Sequence, residues 1–153
     1  MKLEKIALVA HDSRKKDLME WAEYNKQTLA KYTLFATGTT GKLLSNIRYE
    51  DENSFREKLK VTQLLSGPLG GDQQIGTMIA QGDIDMLIFF CDNLAVQGHQ
   101  NDVSALTRLA SLYNVPFATN RTTADMLLTS TLITDKEYMP KKPNFSEYIN
   151  RKV

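Results

Sequence analysis

Apolar residues fall along the chain in two alternating rhythms. Continuous short runs, Lys5 to Ala10, Tyr32 to Ala36, Val61 to Leu65, Ile84 to Cys91 and Val115 to Thr119, are rich in aliphatic and β-branched residues and bounded by polar or turn-forming ones. Runs of this kind predict strands buried on both faces. Between them apolar positions recur at three and four: Leu18, Trp21, Ala22 and Leu29 mark one helix face, and Val103, Leu106, Leu109, Ala110 and Tyr113 another. Shorter helices are expected around Leu43, Leu44 and Ile47, around Ile75, Met78 and Ile79, and around Ala124, Leu127 and Leu128. The alternation predicts an α/β domain with a five-stranded parallel sheet and crossover helices. At 153 residues the chain is sized for one such domain, residues 1–153.

Two segments break the rhythm. Arg48 to Lys60 is densely charged and is expected to be a solvated insertion lying away from any chemistry. After Asp135 comes a tail with Pro140 and Pro143, and its last stretch, Phe145 to Val153, is expected to pack on a neighbouring subunit.

Charge and cysteine usage narrow the partners. With 19 basic and 18 acidic residues the chain has no broad field for gripping nucleic acid or an anionic membrane, so any phosphate must be held locally. The one cysteine, Cys91, allows neither an internal disulfide nor a cysteine metal cluster, which fits a reducing compartment. The apolar stretch Ile6 to Ala10 is much shorter than a signal segment or a membrane span. A cytoplasmic protein without a membrane partner is expected.

Candidate chemistry gathers where a parallel sheet binds its ligands, outside the carboxyl ends of the strands. Thr37, Gly38, Thr39, Thr40 and Gly41 combine two glycines with three hydroxyls just before a helix expected to begin near Gly41. Helix N-terminal amides there would face an anion, so the loop reads either as a phosphate cradle or as a turn capped by one threonine. Ser66 to Gln73 carries three glycines in five positions and brings Asp72 to a helix start, where the residue is either an N-cap or an ionised carboxylate able to act as a base. Lys15 follows Asp12 by three and would point back to the same edge, unless it is a solvated surface lysine. His99 precedes Asp102 by three, a spacing at which the carboxylate could fix the imidazole tautomer, although two surface residues would look the same. A metal site using histidines with Asp12 and Asp92 is less favoured, because no two histidines stand four apart on a helix.

Taken together and in order, His11-Asp12 with Lys15, Thr37-Gly38-Thr39-Thr40-Gly41 and Ser66-Gly67-Pro68-Leu69-Gly70-Gly71-Asp72-Gln73-Gln74 resemble the methylglyoxal synthase family over nearly the whole chain. The third motif is the specific one. The first two are shared more loosely with the regulatory domain of carbamoyl phosphate synthetase and with IMP cyclohydrolase. The resemblance implies a flavodoxin-like three-layer fold in a homohexamer, and a lyase that converts dihydroxyacetone phosphate to methylglyoxal and inorganic phosphate without metal or organic cofactor. It implies Asp72 as base, His99 as electrophile at the substrate carbonyl, and Asp12, Asp92 and Asp102 as orienting or proton-handling groups. It further implies phosphate contacts from Lys15, Thr37, Thr39, Thr40, Ser66 and Gly67, with Gly38 in the substrate-binding loop and His11 beside them. Inorganic phosphate is then also an expected inhibitor, and Arg151 an expected contact between subunits. Members commonly carry proline after the fourth-strand aspartate and around the histidine, where this chain has Asn93 and Gly98. The alternatives are a non-catalytic phosphate-ligand module of the same fold, needing the threonine loop but not Asp72 and His99, and, far behind, a flavodoxin-like redox domain.

Overall fold

The computed structural model of the chain describes residues 2–95 and 100–153, apart from the side chains of residues 100 and 101. Strands β1 (Lys5–Ala10), β2 (Thr33–Thr37), β3 (Arg48–Glu50), β4 (Arg56–Lys58), β5 (Val61–Leu64), β6 (Met86–Phe90) and β7 (Phe117–Ala118) are interleaved with helices. The helices are α1 (Lys15–Tyr24), α2 (Lys26–Leu29), α3 (Gly38–Leu44), α4 (Gly71–Gln81), α5 (Gln100–Leu112), α6 (Arg121–Leu128) and α7 (Ser146–Ile149). Five strands form one parallel sheet in the order β5-β2-β1-β6-β7.

Strand side chains alternate between two cores, which is why the central runs are apolar throughout. Ile6, Leu8 and Ala10 of β1, with Met86, Ile88 and Phe90 of β6, meet Leu18 and Trp21 of α1, Leu44 of α3 and Ala124 and Leu128 of α6. Ala7 and Val9, with Leu87 and Phe89, meet Ile75 and Ile79 of α4 and Leu106 and Ala110 of α5. Helices therefore cover both faces, giving the expected three-layer α/β architecture. Within that plan the strand order reverses between β1 and β6, where flavodoxin itself starts its order second-first-third. A crevice opens at such a reversal because the connections on either side diverge.

The expected strands shift at their ends for local reasons. The run Ile84 to Cys91 pairs only over Met86–Phe90, because Asp85 turns its carboxylate to the backbone N–H groups of Glu4 and Lys5, each at 2.9 Å. Val115 to Thr119 shortens to Phe117–Ala118 after Pro116, which has no N–H to give a ladder. The charged stretch Arg48 to Lys60 is an ordered antiparallel hairpin, β3 on β4, rather than featureless coil. Its arms are mostly exposed, but Ile47 and Leu59 at its neck are buried and Tyr49 packs on the main core. The tail is pinned to the domain: Asn114 Nδ2 donates to the carbonyl of Lys141 at 2.9 Å, and Phe145 meets Tyr113 edge-on at 5.3 Å. Among the described residues no helix is long and apolar enough to cross a membrane.

Candidate active site

At the carboxyl edge of the sheet the strand ends and following loops enclose a cleft of about 490 Å³. Of the residues singled out above, His11, Asp12, Lys15, Thr37, Gly38, Thr39, Ser66, Gly67, Asp72 and Asp92 line it. Thr40, Asp102 and Arg151 do not, and His99 lies outside the described residues. Asp72 also borders a neighbouring hollow of about 370 Å³ that Asp102 lines. Two lining residues carried no sequence signal: Ser13 and Ala95.

The threonine loop begins its helix earlier than expected, at Gly38 rather than near Gly41. Gly38 has φ +43°, and a Cβ there would lie 2.9 Å from Ser66 Cα, so only glycine lets the two loops touch. That approach is held by Gly38 N–H donating to the Leu65 carbonyl at 3.2 Å and by Gln63 Nε2 donating to the Gly38 carbonyl at 2.9 Å. Thr37 takes the N-cap position, yet its side chain makes no capping bond. Thr40 is 1% exposed and its Oγ1 finds no hydrogen-bond partner among the described residues. Capping therefore leaves the hydroxyls of this loop unspent.

Gly70, with φ +107°, occupies the N-cap position of α4, so the N-cap reading of Asp72 is overturned. Asp72 is the second residue of the helix and is 7% exposed. The amide ends of the first turn favour its anion. The loop wraps closely around it: a Cβ on Gly67 would lie 3.3 Å from Asp72 Oδ2, and one on Gly71 would fall 2.0 Å from the Leu65 carbonyl oxygen.

The two loops flanking the reversal of strand order are tied together. Asp92 N–H donates to His11 Nδ1 at 2.7 Å, and Ser13 Oγ donates to Asp92 Oδ2 at 2.5 Å. An accepting Nδ1 leaves the ring proton on Nε2 and takes the Nδ1 lone pair away from any metal. Asp92 Oδ1 accepts from the amides of Leu94 at 2.9 Å and Ala95 at 3.2 Å. These bonds, the Ser13 hydroxyl foremost and then the Leu94 amide, hold the Asp92 carboxyl below its ordinary range. Lys15 Nζ pairs with Asp12 Oδ1 at 2.6 Å; the Asp12 side chain is 95% exposed, whereas that of Lys15 is largely covered at the cleft. The thiol of Cys91, just below this edge, is pushed up to about 11 by burial, which makes it a poor nucleophile.

A hydroxyl-lined, glycine-built recess beside a lysine and a buried carboxylate suits a phosphorylated carbon acid. The MGS-like domain family matches residues 17–119. A methylglyoxal synthase from Oleidesulfovibrio alaskensis is 49% identical over 146 residues, covering 95% of this chain and 93% of the relative. One from Leptospira interrogans is 51% identical over 128 residues, covering 84% and 80%. The crystal structure of methylglyoxal synthase from Elizabethkingia anophelis superposes with a TM-score of 0.83 at 43% identity, covering 99% of this chain and 93% of that one. By this likeness, and by the cleft its three motifs share, the chain belongs to the methylglyoxal synthase family of enzymes.

Proposed function

We propose that this enzyme converts dihydroxyacetone phosphate to methylglyoxal and inorganic phosphate. The observation that carries the reading is the single cleft in which the buried carboxylate of Asp72 faces the loops of Thr37–Thr39 and Ser66–Pro68. Lys15, the threonine hydroxyls and the amides at the start of α3 bind the phosphate of the substrate. Asp72 takes a proton from the hydroxymethyl carbon, and the electron pair left behind forms an enediolate. His99 stabilises the oxygen on which charge develops, as preorganised donors do elsewhere. An isomerase would return the proton to carbon. Here the bond between carbon and the phosphate oxygen lies along the enediolate π system and breaks, and its electron pair leaves with inorganic phosphate. The enol that remains ketonises to methylglyoxal. These steps draw on protein groups alone.

The protein works in the cytoplasm as a homohexamer inhibited cooperatively by inorganic phosphate. Arg151 supports this as an exposed cation near the end of the tail, its guanidinium 3.7 Å above the Tyr148 ring and donating to the Tyr148 carbonyl at 2.6 Å. An Arg151→Ala protein whose phosphate response matches that of the parent excludes the role. The deciding experiment for the reaction mixes purified protein with dihydroxyacetone phosphate and follows phosphate and dicarbonyl together. Equal release of both is expected. Binding of phosphate without turnover would leave a regulatory module instead.

A further inference from the structure

Asp92 lies in the cleft, yet its hydrogen bonds point to work on the protein rather than on substrate. Both carboxylate oxygens are engaged, Oδ2 by the Ser13 hydroxyl and Oδ1 by two backbone amides of the turn that leaves β6. The same residue's amide is held by His11. Two independent bonds therefore join the turn after β1 to the turn after β6, one through the backbone of Asp92 and one through its side chain. The backbone bond fixes where the turn starts. Only the side-chain bond fixes which way the carboxylate faces, and so whether Oδ1 can reach the amides of Leu94 and Ala95.

We propose that Ser13 is a positioning residue of this active site: by donating to Asp92 Oδ2 it orients the carboxylate that caps the turn after β6. Asp92 and Ala95 of that turn line the cleft themselves, and small misplacements of groups at a reacting site cost rate more than binding. Ser13 is itself exposed and lies within a single 3-10 turn, Asp12–Arg14, so its loss removes no core packing. The charged and titratable groups sharing the cleft with Asp92 are His11, Asp12 and Lys15 from the connection after β1, and Asp72 from α4. Lys15 is paired with Asp12, and the bonds from Ser13 and the Leu94 amide are the leading causes of the lowered Asp92 titration. With its acid lowered, Asp92 stays ionised as pH falls past the ordinary value of 3.8, and the cap is lost only below it.

The test compares the parent with Ser13→Ala and Ser13→Thr in two measurements. Carboxyl carbon NMR of labelled aspartate follows the Asp92 titration in each protein; its midpoint should rise toward the ordinary range in Ser13→Ala and return in Ser13→Thr. Steady-state kinetics, which rests on the function proposed above, should show kcat down about tenfold in Ser13→Ala with KM changed less than about twofold, and recovery in Ser13→Thr. A titration unmoved by Ser13→Ala overturns the proposal, as does an unchanged kcat or a loss that threonine fails to restore. Should the parent itself lack turnover, the proposed function falls while the NMR comparison still decides the role of Ser13.

Discussion

The two ends of the central sheet are built from the same strands and carry opposite chemistry. At the carboxyl end the N-termini of α3 and α4 open onto a cleft lined by hydroxyls, carboxylates and a lysine. At the other end, where α4 closes at Gly82 and α5 at Leu112, a cavity of about 410 Å³ is bordered by Met86, Ala110, Val115, Pro116, Leu127 and Ile133 among others. Its volume is similar, so size alone does not mark the reactive end. Direction does: each crossover helix of a parallel sheet points its amides, and the positive end of its dipole, at the carboxyl edge, and its carbonyls at the opposite one. An anion meets donors at one end and acceptors at the other.

The contrast can be broken at four places. Asp72→Asn keeps the size of the side chain while removing the proposed base, so turnover should fall by a factor on the order of hundreds to thousands in a folded protein. Proton exchange from substrate carbon in heavy water, followed beside phosphate release, reads this directly, and near-normal exchange would move the base elsewhere. Gly71→Ala drives a Cβ to within 2.0 Å of the Leu65 carbonyl, and a urea melt should show about 3 kcal/mol or more of lost stability. An unchanged melt would mean that the loop can retreat, contrary to the close packing seen here.

Thr40→Val tests whether the buried hydroxyl is kept for an anion. Stability should hold or rise slightly, since Oγ1 has no partner among the described residues, while calorimetry should show inorganic phosphate binding about tenfold more weakly. Equal affinity would remove Thr40 from the cradle. The smallest effect belongs to the far end: Gly82 has φ +79° and open space around its missing Cβ, so Gly82→Ala should cost only about 1 kcal/mol of backbone strain. Turnover should be untouched; a kinetic effect there would mean that the two ends are coupled.

Much of this was legible in the chain because periodicity reports burial. The five strand runs and the apolar helix faces were recoverable from spacing, since a strand covered on both sides must be apolar at successive positions. Hairpin β3–β4 was not, because its paired residues offer one apolar side chain, Tyr49, among Arg48, Glu50, Arg56, Glu57 and Lys58, and the buried anchors Ile47 and Leu59 sit outside them. Loop chemistry was visible as residue types but not as geometry. Whether Gly70 or Asp72 caps α4 depends on a left-handed backbone angle, which adjacent glycines leave open. Ser13 was missed for a related reason: its partner is 79 positions away, and a lone serine after a strand looks like any turn residue.

The neck of the hairpin has a practical consequence for protein engineering. Leu59 N–H donates to the Ile47 carbonyl at 3.3 Å, and both side chains are buried, so the domain is sealed beneath the hairpin. Whatever is spliced between Asp51 and Arg56 is attached above that seal, and lengthening a loop whose ends are already joined carries a small entropic cost. The tip is thus a graft point for an epitope, a fluorophore or a surface tether, able to immobilise the catalyst with its cleft unobstructed.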